Sequence, residues 1–214
     1  MTFSTLNNNE RKPITDLQER VWLSFFRKGD MAAFERIVHT HQKSIFSYLK
    51  RCQFSQQECE FLFQDIVHDI YSKADSYTLS SPLLPWIFQI VVTSVRQFQH
   101  GDKIGYFFPV EDIPILHTLK SQPTISERDI QQFNFTLWLN NCLCDLLPTI
   151  QVEILLLTTL QIFDLDDIAV ILGIPHHKTI AYLHQARHTI LTHWADHHHG
   201  LVMKKTNIKK MDYV

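Results

Sequence analysis

The stretch from Asp164 to Arg187 admits few conformations. Asp164 stands where a helix N-cap belongs, Asp167 follows in the first turn, and Ile168, Ala169 and Leu172 form an apolar stripe at helical spacing. Gly173 falls where a helix ends on a left-handed residue, and Ile174-Pro175 opens a second helix. Along that helix Thr179, Leu183, Ala186 and Ile190 recur every three or four residues and face inward, which turns Ala181, His184, Gln185, His188 and Thr192 outward. Two helices around a tight turn, the second with a polar outer face, make a helix-turn-helix. That layout presents its second helix to the major groove of DNA.

The remainder of the chain is helical in pattern too. Five glycines in 214 residues, and no alternation of apolar and polar residues between turn signals, leave nothing for strands to explain, so the expectation is an all-α protein. With 45% hydrophobic and 12% aromatic residues, packed cores are expected throughout. No apolar run reaches the roughly 18 to 20 residues that a membrane helix needs, and residues 1 to 12 lack the pattern of a leader, so a cytoplasmic protein without membrane insertion is expected. Cys52, Cys59, Cys142 and Cys144 form neither paired zinc-site spacing nor a disulfide framework and read as small buried residues.

In chain order, residues 1–14 read as a flexible tail and 15–100 as a first helical domain. Its first helix starts on the capping-box spacing Thr15 to Gln18 and stops at Gly29; Asp30 caps the second, which ends near Arg51; Ser55 to Glu58 is the capping box of the third. Pro82 or Pro85 fits the first turn of a fourth, which has no formally charged residue between Pro82 and Val95 and must be buried in its own bundle or cover a partner. Residues 101–125, broken by Gly105, Pro109, Pro114 and Pro123, read as a linker. A second helical domain follows at 126–199, capped at Ser126 to Asp129, and 200–214 reads as a loose basic tail.

Leu147-Pro-Thr-Ile-Gln-Val-Glu-Ile-Leu-Leu-Leu157, Asp166-Asp-Ile-Ala-Val-Ile-Leu-Gly-Ile-Pro175 and Leu183-His-Gln-Ala-Arg187 resemble the DNA-binding domain of extracytoplasmic-function sigma factors of bacterial RNA polymerase. Gly29-Asp-Met-Ala-Ala-Phe-Glu35, Leu62-Phe-Gln-Asp-Ile-Val67 and Trp86-Ile-Phe88, in that order and separation, resemble the other domain of the same family. The resemblance implies that Leu62, Gln64, Asp65 and Val67 dock on the polymerase core. It implies that the loop Tyr77 to Ser81 and the start of the fourth helix (Tyr77, Ser80, Trp86, with Arg96 further along) hold and melt the downstream promoter element. It implies upstream-element reading by His176, His177, Lys178, Tyr182, His184, Gln185, Arg187 and His188. Promoter DNA, the polymerase core and an anti-sigma protein are the partners it suggests. Tyr77 and Trp86 could stack an extruded base, worth about 1 to 3 kcal/mol; both also fit a core.

The chain departs from the family in charge. Where the family carries arginines and an asparagine on the fourth helix, this sequence has Gln89, Val92 and Thr93, leaving Arg96 as the last basic residue before Lys103. From Gly29 to His100, six basic side chains face seven acidic ones, and the whole chain has a net charge of -2, an unusual balance for a DNA reader. Thirteen histidines stand in part where lysine or arginine is typical. With a reference pKa near 6.5 they gain charge as pH falls, which suggests tighter DNA binding at mildly acidic pH. His193 and His197 have i, i+4 spacing, but a solvated helix end explains the His197-His-His199 run better than a metal does.

No nucleophile with a base, no paired carboxylates and no glycine-rich phosphate loop point to catalysis, a cofactor or a metal. The sequence therefore suggests a non-enzymatic factor that directs RNA polymerase to promoters and aids their melting. The alternatives are a sigma-like interaction regulator with weakened DNA binding, or a helix-turn-helix regulator acting without polymerase.

Overall fold

The computed structural model describes residues 12–78, 82–99, 137–140, 143 and 145–211, with side chains described between 17 and 197. All regular structure among them is helical. Helix α1 spans Lys12–Phe26, α2 Met31–Arg51, α3 Gln56–Lys73, and a single 3-10 turn covers Ala74–Ser76. After α4 (Leu83–Phe98) come α5 (Thr149–Thr159), α6 (Leu165–Leu172) and α7 (His176–Met211).

Local chemistry sets most boundaries. Gly29, at φ 96°, lets the chain turn out of α1, and the Asp30 carboxylate accepts from the amides of Ala32 and Ala33 to start α2. Ser55 and Glu58 form a reciprocal capping box at α3. Pro82 precedes α4 and Pro85 sits in its first turn, where a missing N–H costs no helical bond.

Two boundaries differ from the sequence reading. Helix α1 begins at Lys12, ahead of the expected Thr15, because Pro13 suits a first helical turn. The backbone of α7 continues to Met211 where a loose tail is expected from residue 200; nothing after Gly200 is a strong helix breaker, and lysines extend a helix readily. The linker 101–125 and the expected cap at Ser126 to Asp129 lie outside the described residues.

Helices α1 to α4 pack around Leu23, Phe34, Ile37, Tyr48, Leu49, Leu62, Ile66, Ile87 and Val91, and α5 to α7 around Val152, Ile154, Leu156, Ile168, Leu183 and Ala186. The two sets merge into one contiguous apolar core. The junction is α4, which packs on α2 and α3 with one side and on α6 with another. Phe88 meets Phe163 edge to face there, with ring centroids 4.7 Å apart. The uncharged run of α4 is thus buried on two sides, by its own bundle and by the C-terminal half. Helix α5 is apolar nearly all round and is correspondingly enclosed.

Candidate nucleic-acid and partner interfaces

The helix-turn-helix forms as its sequence dictates. The Asp164 carboxylate accepts from the Asp167 amide at 2.8 Å, and the Asp167 carboxylate accepts in return from the Asp164 amide at 3.3 Å. Gly173 is left-handed at φ 66° and ψ 32°, and the Ile174 amide reaches back to the Ala169 carbonyl at 3.1 Å, closing the turn. Thr179, Leu183, Ala186 and Ile190 are buried. His176, His177, Lys178, His184, Gln185, Arg187 and His188 are exposed, with Tyr182 half-buried among them. Two of these side chains have partners nearby. His176 Nδ1 lies 2.6 Å from Asp166 Oδ1, and the Gln151 amide donates to Gln185 Oε1 at 3.3 Å. The outer face carries two permanent cations, Lys178 and Arg187, beside four histidines.

On α3, Gln64 and Asp65 are exposed and Val67 is half-buried. Leu62 is 2% exposed and shares its helical phase with Cys59, Ile66 and Ile70, so its side chain faces the bundle core. Cys52 and Cys59 are buried as read from sequence, and burial pushes both thiols above their usual pKa; Cys142 and Cys144 lie outside the described residues.

Tyr77 likewise turns inward, 3% exposed, with its ring centroid 5.1 Å from that of half-buried Trp86. Only Trp86 of the two presents an edge to solvent, so Tyr77 acts as the floor under it. Ser80 lies outside the described residues. The loop is held by a residue that sequence reasoning passed over. The Arg27 guanidinium donates to the Ala74 carbonyl at 2.7 and 3.2 Å and also to the Tyr77 carbonyl. The Ala74 carbonyl also accepts from the Tyr77 amide across the 3-10 turn, and a forked cation suits two neighbouring carbonyls at once.

The expected DNA side of α4 meets the C-terminal half of the molecule. Val92 is buried, the Gln89 amide donates to the Val170 carbonyl at 2.7 Å, and Thr93 remains exposed. Arg96 forms a two-pronged ion pair with Glu153 on α5, Nε to Oε1 at 2.8 Å and Nη2 to Oε2 at 2.6 Å. Glu153 is another residue the sequence reading missed; the signal was a lone carboxylate inside the apolar run Ile150 to Leu157. In this arrangement the outer face of α7 is turned to solvent while most of the α4 face is covered. Among the described residues, no three His, Cys, Asp or Glu side chains gather as a metal site would require, and no helix is long and apolar enough to cross a membrane.

No protein-family model matches the chain, and no curated protein matches it. Among solved structures, CnrH in complex with the cytosolic domain of CnrY shares the fold at a TM-score of 0.60. The likeness covers 84% of this chain and 98% of that one at 14% sequence identity.

Proposed function

We propose that the chain is a divergent sigma factor of the extracytoplasmic-function type, which brings bacterial RNA polymerase core to a set of promoters and has no catalysis of its own. The observation that carries this reading is the shared fold over nearly the full length of CnrH, an extracytoplasmic-function sigma factor held by an anti-sigma protein. Both halves of the fold, in the same order, are what a generic helix-turn-helix regulator leaves unexplained. In this reading Gln64, Asp65 and half-buried Val67 meet the polymerase, Trp86 sits at the downstream element, and the outer face of α7 reads the upstream element. An anti-sigma protein is a further proposed partner.

A second reading is favoured by the covered α4 face: a sigma-shaped protein that binds polymerase or a sigma's partner without gripping the downstream element. Arg96, the one basic side chain late in α4, is already paired with Glu153. Co-elution with purified core enzyme followed by run-off transcription separates the readings. Binding with promoter-dependent initiation supports the first, binding without initiation supports the second, and failure to bind core sinks the first and leaves of the second only the binding of a sigma's partner.

A further inference from the structure

Aromatic side chains gather on the solvent side of the junction between α3 and α4. Phe61 is 54% exposed and Phe98 41%, with ring centroids 6.3 Å apart. Phe98 stands edge-on to half-buried Phe54 at 5.4 Å and 89°, so the ledge is anchored in the core. Adjoining exposed aromatics of this size are costly to leave in water and mark contact sites. Phe61 also precedes Gln64 and Asp65 by three and four residues, which puts all three exposed side chains on one face of α3.

The charge around the ledge narrows what fits it. Helix α3 carries Glu58, Glu60, Asp65 and Asp69 against one cation, Lys73, whose ammonium is held by Asp69 at 2.6 Å. An acidic strip repels phosphates, which argues against nucleic acid and against anionic lipid. A basic protein helix suits it, because lysine and arginine stems lie over aromatic rings while their charged heads reach the carboxylates beside them. We infer that Phe61 and Phe98, backed by Phe54, form an aromatic docking ledge that extends the Gln64–Asp65 face and takes a basic helical surface of a protein partner. The identity of that partner as the polymerase core rests on the reading proposed above; the ledge and the charge of its occupant do not.

The test measures binding of the full chain to purified core polymerase for wild type, Phe61→Ala, Phe98→Ala, the double variant, Phe61→Leu and Asp65→Lys. Thermal melting and binding to an upstream-element DNA fragment serve as controls. The double alanine variant should lose about tenfold or more in core affinity, as anchor residues of an interface do. Phe61→Leu should lose less, Asp65→Lys should add a salt-dependent loss, and DNA binding should not move. Core affinity of the double variant within about twofold of wild type overturns the ledge while leaving the sigma reading intact. A lowered melting temperature at unchanged core affinity also overturns it, by showing that the chain's own residues cover the rings. Loss of self-association at unchanged core affinity overturns it in favour of a second copy. Failure of the wild-type chain to bind core overturns the polymerase assignment and the sigma reading together.

Discussion

Arg96 on α4 and Glu153 on α5 join the two halves of the molecule through two parallel hydrogen bonds of 2.8 and 2.6 Å, with the carboxylate 1% exposed. Arg96→Ala leaves that carboxylate buried without its cation. The expected loss is about 3 kcal/mol in urea unfolding, the low end for breaking a buried pair because water reaches the guanidinium. Arg96→Met combined with Glu153→Met should recover most of it. A double variant as unstable as Arg96→Ala would contradict the assignment.

The turn of the helix-turn-helix depends on a left-handed residue. No atom stands within 4 Å of where a Cβ would lie at Gly173, so Gly173→Ala pays for backbone conformation alone, about 1 kcal/mol. Calorimetry should show a melting temperature lower by about 2 to 4 °C. Gln161, which follows α5 at φ 56°, offers the reverse test, since Gln161→Gly relieves the same strain and should raise it.

Arg27 fixes the path by which the chain leaves α3. Arg27→Ala removes the guanidinium's bonds to the Ala74 and Tyr77 carbonyls at a cost of about 1.5 to 3 kcal/mol, since bonds from a charged donor are lost. Hydrogen exchange should speed up selectively in residues 74–78, with Arg27→Lys in between. Uniform loosening of the whole chain would contradict the clamp.

The capping box of α3 makes stability depend on pH. Hydrogen bonds from the Ser55 hydroxyl and backbone hold Glu58 below its ordinary value of 4.5. A carboxylate depressed in the folded state stabilises it fully above that value, and the contribution is lost as pH falls through the lowered one. Glu58→Gln should therefore flatten the acid limb of a stability-against-pH curve and leave no pH-dependent difference from wild type below it. An unchanged acid limb would contradict the coupling.

Features governed by neighbours in sequence were legible beforehand. Asp30, Ser55 with Glu58, Asp164 with Asp167, and Gly173 act within four residues of themselves, so their caps and turns follow from spacing. Surface and core were harder to assign. Leu62 and Tyr77 sit at motif positions that suggested contact, yet helix phase and the Trp86 ring turn both inward. Periodicity showed that α4 was apolar on more than one side without naming α6 as the element that covers it. Long-range pairs such as Arg96 with Glu153 and Arg27 with Ala74 leave no local pattern that names the partner; the lone carboxylate of Glu153 in its apolar run marks one end without pointing to Arg96.

Promoter selection by the protein is read out by mapping transcript start sites made on bacterial genomic DNA by core polymerase with and without it. New, discrete 5′ ends should appear only with the protein and share two sequence elements at a fixed separation. Identical sets of 5′ ends in the two reactions, with the protein bound to core, would contradict it.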